Sequence, residues 1–145
     1  MDIKPAIAED AQKLARLAAQ NDFSARWSAA DFIAEIAQNT SLVLKAQNDA
    51  GDIIGFISHR FAPPYAELTN FAVAAANQRQ GVGANLLQKS LAILKQKGVG
   101  ALTLEVNINN SAAAALYKKS GFTQTAIRKK FYNDTDDALI LRREL

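Results

Sequence analysis

The chain has 145 residues, with 17 Lys and Arg against 14 Asp and Glu, one His, no Cys and a formal net charge of +3. That length suits one domain, residues 1–145, with a core large enough to enclose a ligand cleft. The missing Cys excludes a disulfide scaffold, a thiol nucleophile and a Cys-ligated metal, a single His leaves no multi-histidine metal site, and so small a charge surplus does not make a nucleic-acid-binding protein.

Hydrophobic content of 49% and charged content of 21% are those of a globular protein. No apolar run reaches the length of a membrane span. Met1-Asp2-Ile3-Lys4-Pro5 carries an acid early and lacks an apolar stretch, so no signal peptide is expected and the cytoplasm is the expected compartment.

Ile3–Ala6 reads as a short strand ended by proline. A helix is expected from about Ala8 to Asn21, with Leu14, Leu17 and Ala18 on one face. Ser28 is placed to cap a second helix running to about Gln38, with Phe32, Ile33 and Ile36 inward. Trp27 lies between the two, where an entrance loop is expected. Three strands follow: Ser41–Gln47, Ile53–Arg60 and Ala66–Ala74. The first two are joined by the turn Asn48-Asp49-Ala50-Gly51, the second and third by a stiff connection at Ala62-Pro63-Pro64-Tyr65.

The period then changes. Val82, Leu86, Leu87, Leu91 and Leu94 fall at helical spacing within Gln80–Lys97, and Gly98 suits a left-handed stop. Ala101–Val106 reads as a buried strand, Asn110–Ser120 as an Ala-rich helix closed by Gly121, and Phe122–Phe131 with Asp137–Arg143 as a final strand pair. A meander, then strand–helix–strand–helix, then a hairpin makes an α/β chain (α+β mixed sheet) with helices on both faces.

Three segments carry chemistry. In the first, the strand ending Phe71-Ala72-Val73 leads to Gln78-Arg79-Gln80-Gly81-Val82-Gly83-Ala84 at the start of a long helix. Free N–H groups and the helix dipole there can hold a pyrophosphate, and glycines let it approach the backbone. A plain turn with close packing would read the same way. A dinucleotide fingerprint fits poorly, because the third glycine and the acid that should follow are missing.

In the second segment, Leu102-Thr103-Leu104-Glu105-Val106-Asn107, alternation puts Thr103, Glu105 and Asn107 on one polar face of a strand. That face is either the floor of a cleft or simply solvated. In the third, Asn110 caps a helix whose Ala run offers a smooth face, and Tyr117 follows about two turns later on the same side. Taken alone, Tyr117 is a core aromatic.

Together, Q-x-x-G-x-G at Gln78–Gly83, L-E-V at Leu104–Val106 and N-x-x-A-x-x-L-Y-x-x-x-G-F from Asn110 to Phe122 resemble the GCN5-related N-acetyltransferase (GNAT) family. The segments Ala66–Val73, Gln78–Gly81, Leu104–Val106 and Ile127–Tyr132, with Trp27-Ser28, resemble its bacterial branch that acetylates the N-terminal alanine of a small-subunit ribosomal protein.

The resemblance implies the acyl-CoA N-acyltransferase fold, acetyl-CoA as donor substrate, a protein N-terminus as acceptor, and no metal, nucleic acid or membrane. By the same resemblance, the backbone at Phe71, Ala72 and Val73 would align the pantetheine arm. Arg79, Gln80, Gly81, Val82, Gly83 and Ala84 would hold the pyrophosphate, and Asn110 would touch the pantetheine region. Glu105 would accept the proton of the amine and Tyr117 would donate one to the leaving group. The sequence departs from the family pattern at Ala84 and at Asn107, where arginine is frequent, and Arg60–Tyr65 is longer than that pattern. A lysine or small-molecule acceptor, or a CoA-binding regulatory module, remain the competing readings. Two roles are given a plain structural reading: His59 as a lone strand histidine, and Asp134, Asp136 and Asp137 as turn residues.

Overall fold

Strand β2 (Ser41–Gln47) shows how this sequence builds a two-sided sheet. Leu42, Leu44 and Ala46 enter one core layer while Val43 enters the other, because successive side chains of a strand point to opposite faces. The remaining strands are β1 (Asp2–Pro5), β3 (Ile53–Ala62), β4 (Tyr65–Val73), β5 (Ala101–Asn107), β6 (Thr123–Tyr132) and β7 (Asp136–Glu144). In this computed structural model, which describes residues 1–145, all seven form one sheet of order β1-β2-β3-β4-β5-β7-β6. Every neighbouring pair is antiparallel except β4 and β5.

Two helices cover each face. On one side lie α1 (Ala11–Ala19) and α2 (Ala29–Ile36), where Leu14, Leu17 and Phe32 pack on Val43, Phe56 and Ala72. On the other lie α3 (Val82–Gln96) and α4 (Ser111–Lys119), where Leu86, Leu87, Leu94 and Tyr117 pack on Leu44, Ile57, Leu102, Leu104 and Leu141. The Ser28 hydroxyl accepts the Asp31 N–H at the start of α2, and Gly98 ends the α3 region at φ +89°, both as the residue types require.

Three expectations change. Ile33 points outward, 47% exposed, and Glu35 is buried in its stead. The end of α2 lies over Arg60 of β3, whose Nε donates to Glu35 Oε1 at 2.7 Å, and the Ser41 hydroxyl donates to the same carboxylate. Burial pushes the Glu35 carboxyl up, but these bonds outweigh it and hold the group below its usual range. Trp27 packs edge-on against Phe32 at 5.2 Å and is an anchor of the α1–α2 loop. The connection at Pro63-Pro64 is a two-residue turn, since Ala62 pairs with Tyr65; the extra length of Arg60–Tyr65 is absorbed by β3 and β4 themselves.

Two buried polar features tie layers together. Lys45 Nζ lies 2.7 Å from Asp10 Oδ2, which also accepts the Ile7 N–H. His59 is fully buried, its Nε2 2.9 Å from the Ser90 hydroxyl of α3. Neutral imidazole suits that setting, and burial pushes its pKa down to about 3.

Two irregularities of the sheet shape the site. Ser58 faces Asn70 and His59 faces Leu68, so Thr69 is an extra residue in β4. This bulge reverses the alternation: Leu68 before it and Phe71 and Val73 after it all pack toward α3. Beyond it, β4 no longer runs beside β5. Only Tyr65, Ala66 and Glu67 pair with Ala101, Leu102 and Thr103, and from there the two strands part.

Candidate active site

The parting of β4 and β5 leaves one edge of β4 without a neighbouring strand. Ala74 N–H bonds to Ile54 O, so alternate backbone groups, those of Ala72 included, face β3. Those of Phe71 and Val73 therefore face the gap. At Phe71 both are already engaged: its N–H donates to Asn70 Oδ1 at 2.9 Å, and its carbonyl accepts the Ser24 hydroxyl at 2.9 Å. The Val73 carbonyl accepts Gln78 Nε2 at 3.2 Å, which leaves the Val73 N–H as the donor open to the gap.

A cavity of about 580 Å³ runs from this edge to the start of α3. Phe71, Ala72, Val73, Arg79, Gly81, Val82, Gly83, Ala84 and Asn110 all line it, so nine of the ten residues expected to hold the donor come together around one space. Gln80 is the exception: it is exposed, and its side chain turns back toward the Ala76 carbonyl.

The end of the cavity at α3 is built for an anion. The first backbone bond of the helix runs from Asn85 N–H to Gly81 O, so the N–H groups of Val82, Gly83 and Ala84 have no partner within the helix. Gly81 turns the chain at φ +83° and Arg79 at φ +63°, a left-handed pair of residues that gathers the turn around the helix end. Arg79 is the one cation among the lining residues. No acidic residue sits in the first turn of α3. Gly83 has a packing reason as well: a Cβ there would stand 3.4 Å from the Phe71 ring.

Sequence reasoning missed part of the wall. Gln20, Asn21, Asp22, Phe23 and Ser24, from the loop between α1 and α2, line the cavity from the opposite side. The only signal was the loop's place before Trp27. Asn77, Gln78, Ala112, Ala113 and Leu116 complete the lining, the last three using the smooth face of α4.

Glu105 and Tyr117 stand outside this lining. Leu102, Leu104 and Val106 of β5 are buried, while Thr103 and Asn107 are half-buried and Glu105 is exposed, so the polar face is as the alternation requires. The Glu105 carboxylate has the Arg128 guanidinium 3.7 Å away. Asn107 donates to Asp136 Oδ2 at 3.0 Å, and Asp137 holds Lys129 and the Lys130 N–H. Asp136 and Asp137 are thus fasteners of the final hairpin, and only Asp134 lies in the turn itself.

Tyr117 is buried between Phe71 and Phe122, with ring centroids 6.3 and 5.7 Å away. Burial, with a smaller push from Tyr132, lifts its phenol well above the usual tyrosine range. Tyr132, on the last residue of β6, is pushed up to about 12 by burial and by the charge of Glu105. Tyr132 thus feels the charge of Glu105 and in turn acts on Tyr117. The Tyr117 hydroxyl stays protonated through neutral pH and is available to donate.

Comparison with known proteins places this arrangement. An Escherichia coli ribosomal protein bS18-alanine N-acetyltransferase is 44% identical over 79 residues, 52% of this chain and 53% of its own length, so that match spans about half of the relative. A Bacillus subtilis protein provisionally named for the same activity is 30% identical over 122 residues, 83% of this chain and 81% of its own. The crystal structure of the ribosomal-protein-S18-alanine N-acetyltransferase from Escherichia coli superposes with a TM-score of 0.87 and 28% identity, covering 99% of this chain and 92% of that one. The family model for the acetyltransferase (GNAT) family matches residues 9–122, from the helix before the entrance loop to the end of the Asn110–Phe122 motif. The fold and the relatives agree: this chain is an N-acetyltransferase and belongs to the GNAT family.

Proposed function

We propose that the protein transfers an acetyl group from acetyl-CoA to the N-terminal amine of a protein, and that its acceptor is the N-terminal alanine of ribosomal protein bS18. The observation that supports the donor site best is the cavity joining the free edge of β4 to the N-terminus of α3, with Arg79 at the electropositive end. The names of the relatives support the acceptor. We set the reaction in the cytoplasm, where ribosomal proteins are made.

In this reading Phe71, Ala72 and Val73 align the pantetheine arm, with Val73 N–H as its open backbone donor. The N–H groups of Val82, Gly83 and Ala84, with Arg79, hold the pyrophosphate; Gln80 and Gly81 shape the turn. Asn110 borders the arm from α4. An α-amine has a pKa of about 8, so at neutral pH most of it carries an extra proton. Glu105 takes that proton, directly or through a water. The amine nitrogen then bonds to the acetyl carbon, the C–S bond breaks with its electron pair going to sulfur, Tyr117 gives its phenolic proton to the departing thiolate, and the second proton that the nitrogen sheds on becoming an amide passes through water to restore the Tyr117 phenol. Val73 N–H supports the charge that develops on the acetyl oxygen.

The test is mass spectrometry of a panel incubated with enzyme and acetyl-CoA: peptides beginning with Ala, the same peptides chemically blocked at the N-terminus, lysine peptides and small amines. The reading expects acetyl transfer to the free α-amine and none after blocking. Transfer to blocked peptides would redirect it to lysine or small-molecule acceptors.

A further inference from the structure

The α1–α2 loop forms one wall of the cavity, yet it contains no helix or strand of its own between Gln20 and Ser28. A wall of bare loop needs a fixed point. The strongest one lies across the sheet, at Asn70. This side chain is buried, 3% exposed, beside the Thr69 bulge of β4. Its Oδ1 accepts the Ala25 N–H at 3.2 Å and its Nδ2 donates to the Ala25 carbonyl at 3.1 Å. The carboxamide thus pairs with a loop residue as a neighbouring strand would. The same Oδ1 accepts the Phe71 N–H, and one residue earlier in the loop the Ser24 hydroxyl closes onto the Phe71 carbonyl.

We propose that Asn70 is a positioning residue for acetyl transfer: its amide clamps Ala25 and so holds the loop segment Gln20–Ser24 as the wall against which donor and acceptor are oriented. The inference rests on the acetyltransferase reading of the cavity. It follows from the donor and acceptor count. Only a side chain with one donor and one acceptor on the same planar head can satisfy both backbone groups of Ala25, and the bulge is what turns residue 70 to the α1 side of the sheet. The electropositive end of the cavity is built by α3 and does not depend on this clamp.

Trp27, the only tryptophan in the chain, sits two residues beyond Ala25 and reports on the loop directly. Asn70→Leu keeps the branched outline in a somewhat larger side chain and removes all three bonds. It should increase acrylamide quenching of Trp27, raise the acceptor KM about tenfold and weaken acetyl-CoA binding in calorimetry by about threefold, because the pyrophosphate end at α3 keeps most of the donor affinity. Asn70→Asp supplies a finer test. Ionised, its carboxylate faces the Ala25 carbonyl with no proton to donate; protonated, it restores the donor. Beside it the charged groups of the loop are Asp22 and Arg26, and the Arg26 guanidinium is occupied by the Ala19 carbonyl; no charged side chain from β3 or β4 hydrogen-bonds to Asn70. Burial beside the Ala25 carbonyl pushes this introduced carboxyl above the ordinary aspartate range, so Trp27 quenching in Asn70→Asp should exceed wild type at about pH 8 and fall toward it as the pH drops to about 5, while wild type stays level.

Should Asn70→Leu fail to fold, Ser24→Ala removes the adjoining bond and should shift quenching and acceptor KM in the same direction. Unchanged quenching and unchanged acceptor KM in the folded variants would overturn the clamp. Quenching and acetyl-CoA binding are read without any acceptor, so they decide the clamp even if the wild-type protein acetylates no N-terminal peptide.

Discussion

Glu105 and Tyr117 lie on opposite faces of the sheet. Glu105 projects from the polar face of β5, while Tyr117 belongs to the core layer that buries Leu104 and Val106 on the other face. In the proposed roles of base and acid, that separation lets the two groups serve the two ends of one transfer without neutralising each other.

The two groups should therefore fail differently. Glu105→Gln keeps the shape and should lower kcat by on the order of 10²–10⁴, with residual activity that climbs as the acceptor amine loses its own proton near pH 8. Tyr117→Phe should lower kcat by a similar order. The Tyr117 ring is buried between aromatic rings whose contacts Phe keeps, so this variant should lose little thermal stability. Steady-state kinetics over about pH 6–9 with a melting curve for each variant checks both. Wild-type kcat in both variants would leave orientation as the main source of rate.

Donor binding should respond to Arg79 and Gly81 in distinct ways. Arg79 holds a left-handed backbone at φ +63°, so Arg79→Gly relieves strain while removing the one cation of the cavity lining. Acetyl-CoA affinity should fall and its dependence on salt should flatten, with stability kept. Gly81→Asp brings a negative charge to the anion end and, at φ +83°, strain of roughly 1–2 kcal/mol. Calorimetry at low and high salt separates the two.

Acid should destabilise the fold through His59, the single histidine. Free in the unfolded chain it takes a proton near pH 6.5, but in the folded protein only at about 3. Protonation thus favours the unfolded chain. The contribution is complete above pH 6.5 and is lost as pH falls from there toward 3, with a slope of up to ~1.4 kcal/mol per pH unit. Glu35 and Asp137 are held below their usual values and enter only at lower pH. Urea unfolding at about pH 7 and pH 5 should show the loss, and His59→Gln should remove most of the difference.

The buried pair of Lys45 and Asp10 should be costly to halve. Lys45→Met leaves an uncompensated carboxylate under α1 and should cost about 3–5 kcal/mol. Adding Asp10→Asn should recover part of that loss, because the charge disappears while the Ile7 N–H keeps an acceptor. Denaturant midpoints of the single and double variants test this.

Much of this molecule could be read from local pattern. Alternation in Leu102–Asn107 set Glu105 apart from its apolar neighbours, and the apolar period of Val82–Leu94 located α3 within two residues. What escaped was decided by partners distant in sequence. Glu35 turned inward because Arg60 waits on β3, and Ile33 gave way, although hydrophobicity alone favours the reverse. The loop from Gln20 to Ser24 became a wall through bonds to residues about 45 positions away. The bulge at Thr69 has no mark in its own strand, since it exists only relative to the register of β3.

The short ladder between β4 and β5 also has a mechanical meaning. Three facing pairs, helped by the Pro64 carbonyl accepting from Gly100 and Ala101, join two otherwise self-sufficient antiparallel sets, β1–β4 and β5–β7–β6. Such a seam is where a fold opens first, so amide exchange should divide the molecule into two cooperative blocks along it. A chain severed between Lys97 and Gly98 would leave each block with all its own hairpins, and the two fragments would carry the instructions to find each other again.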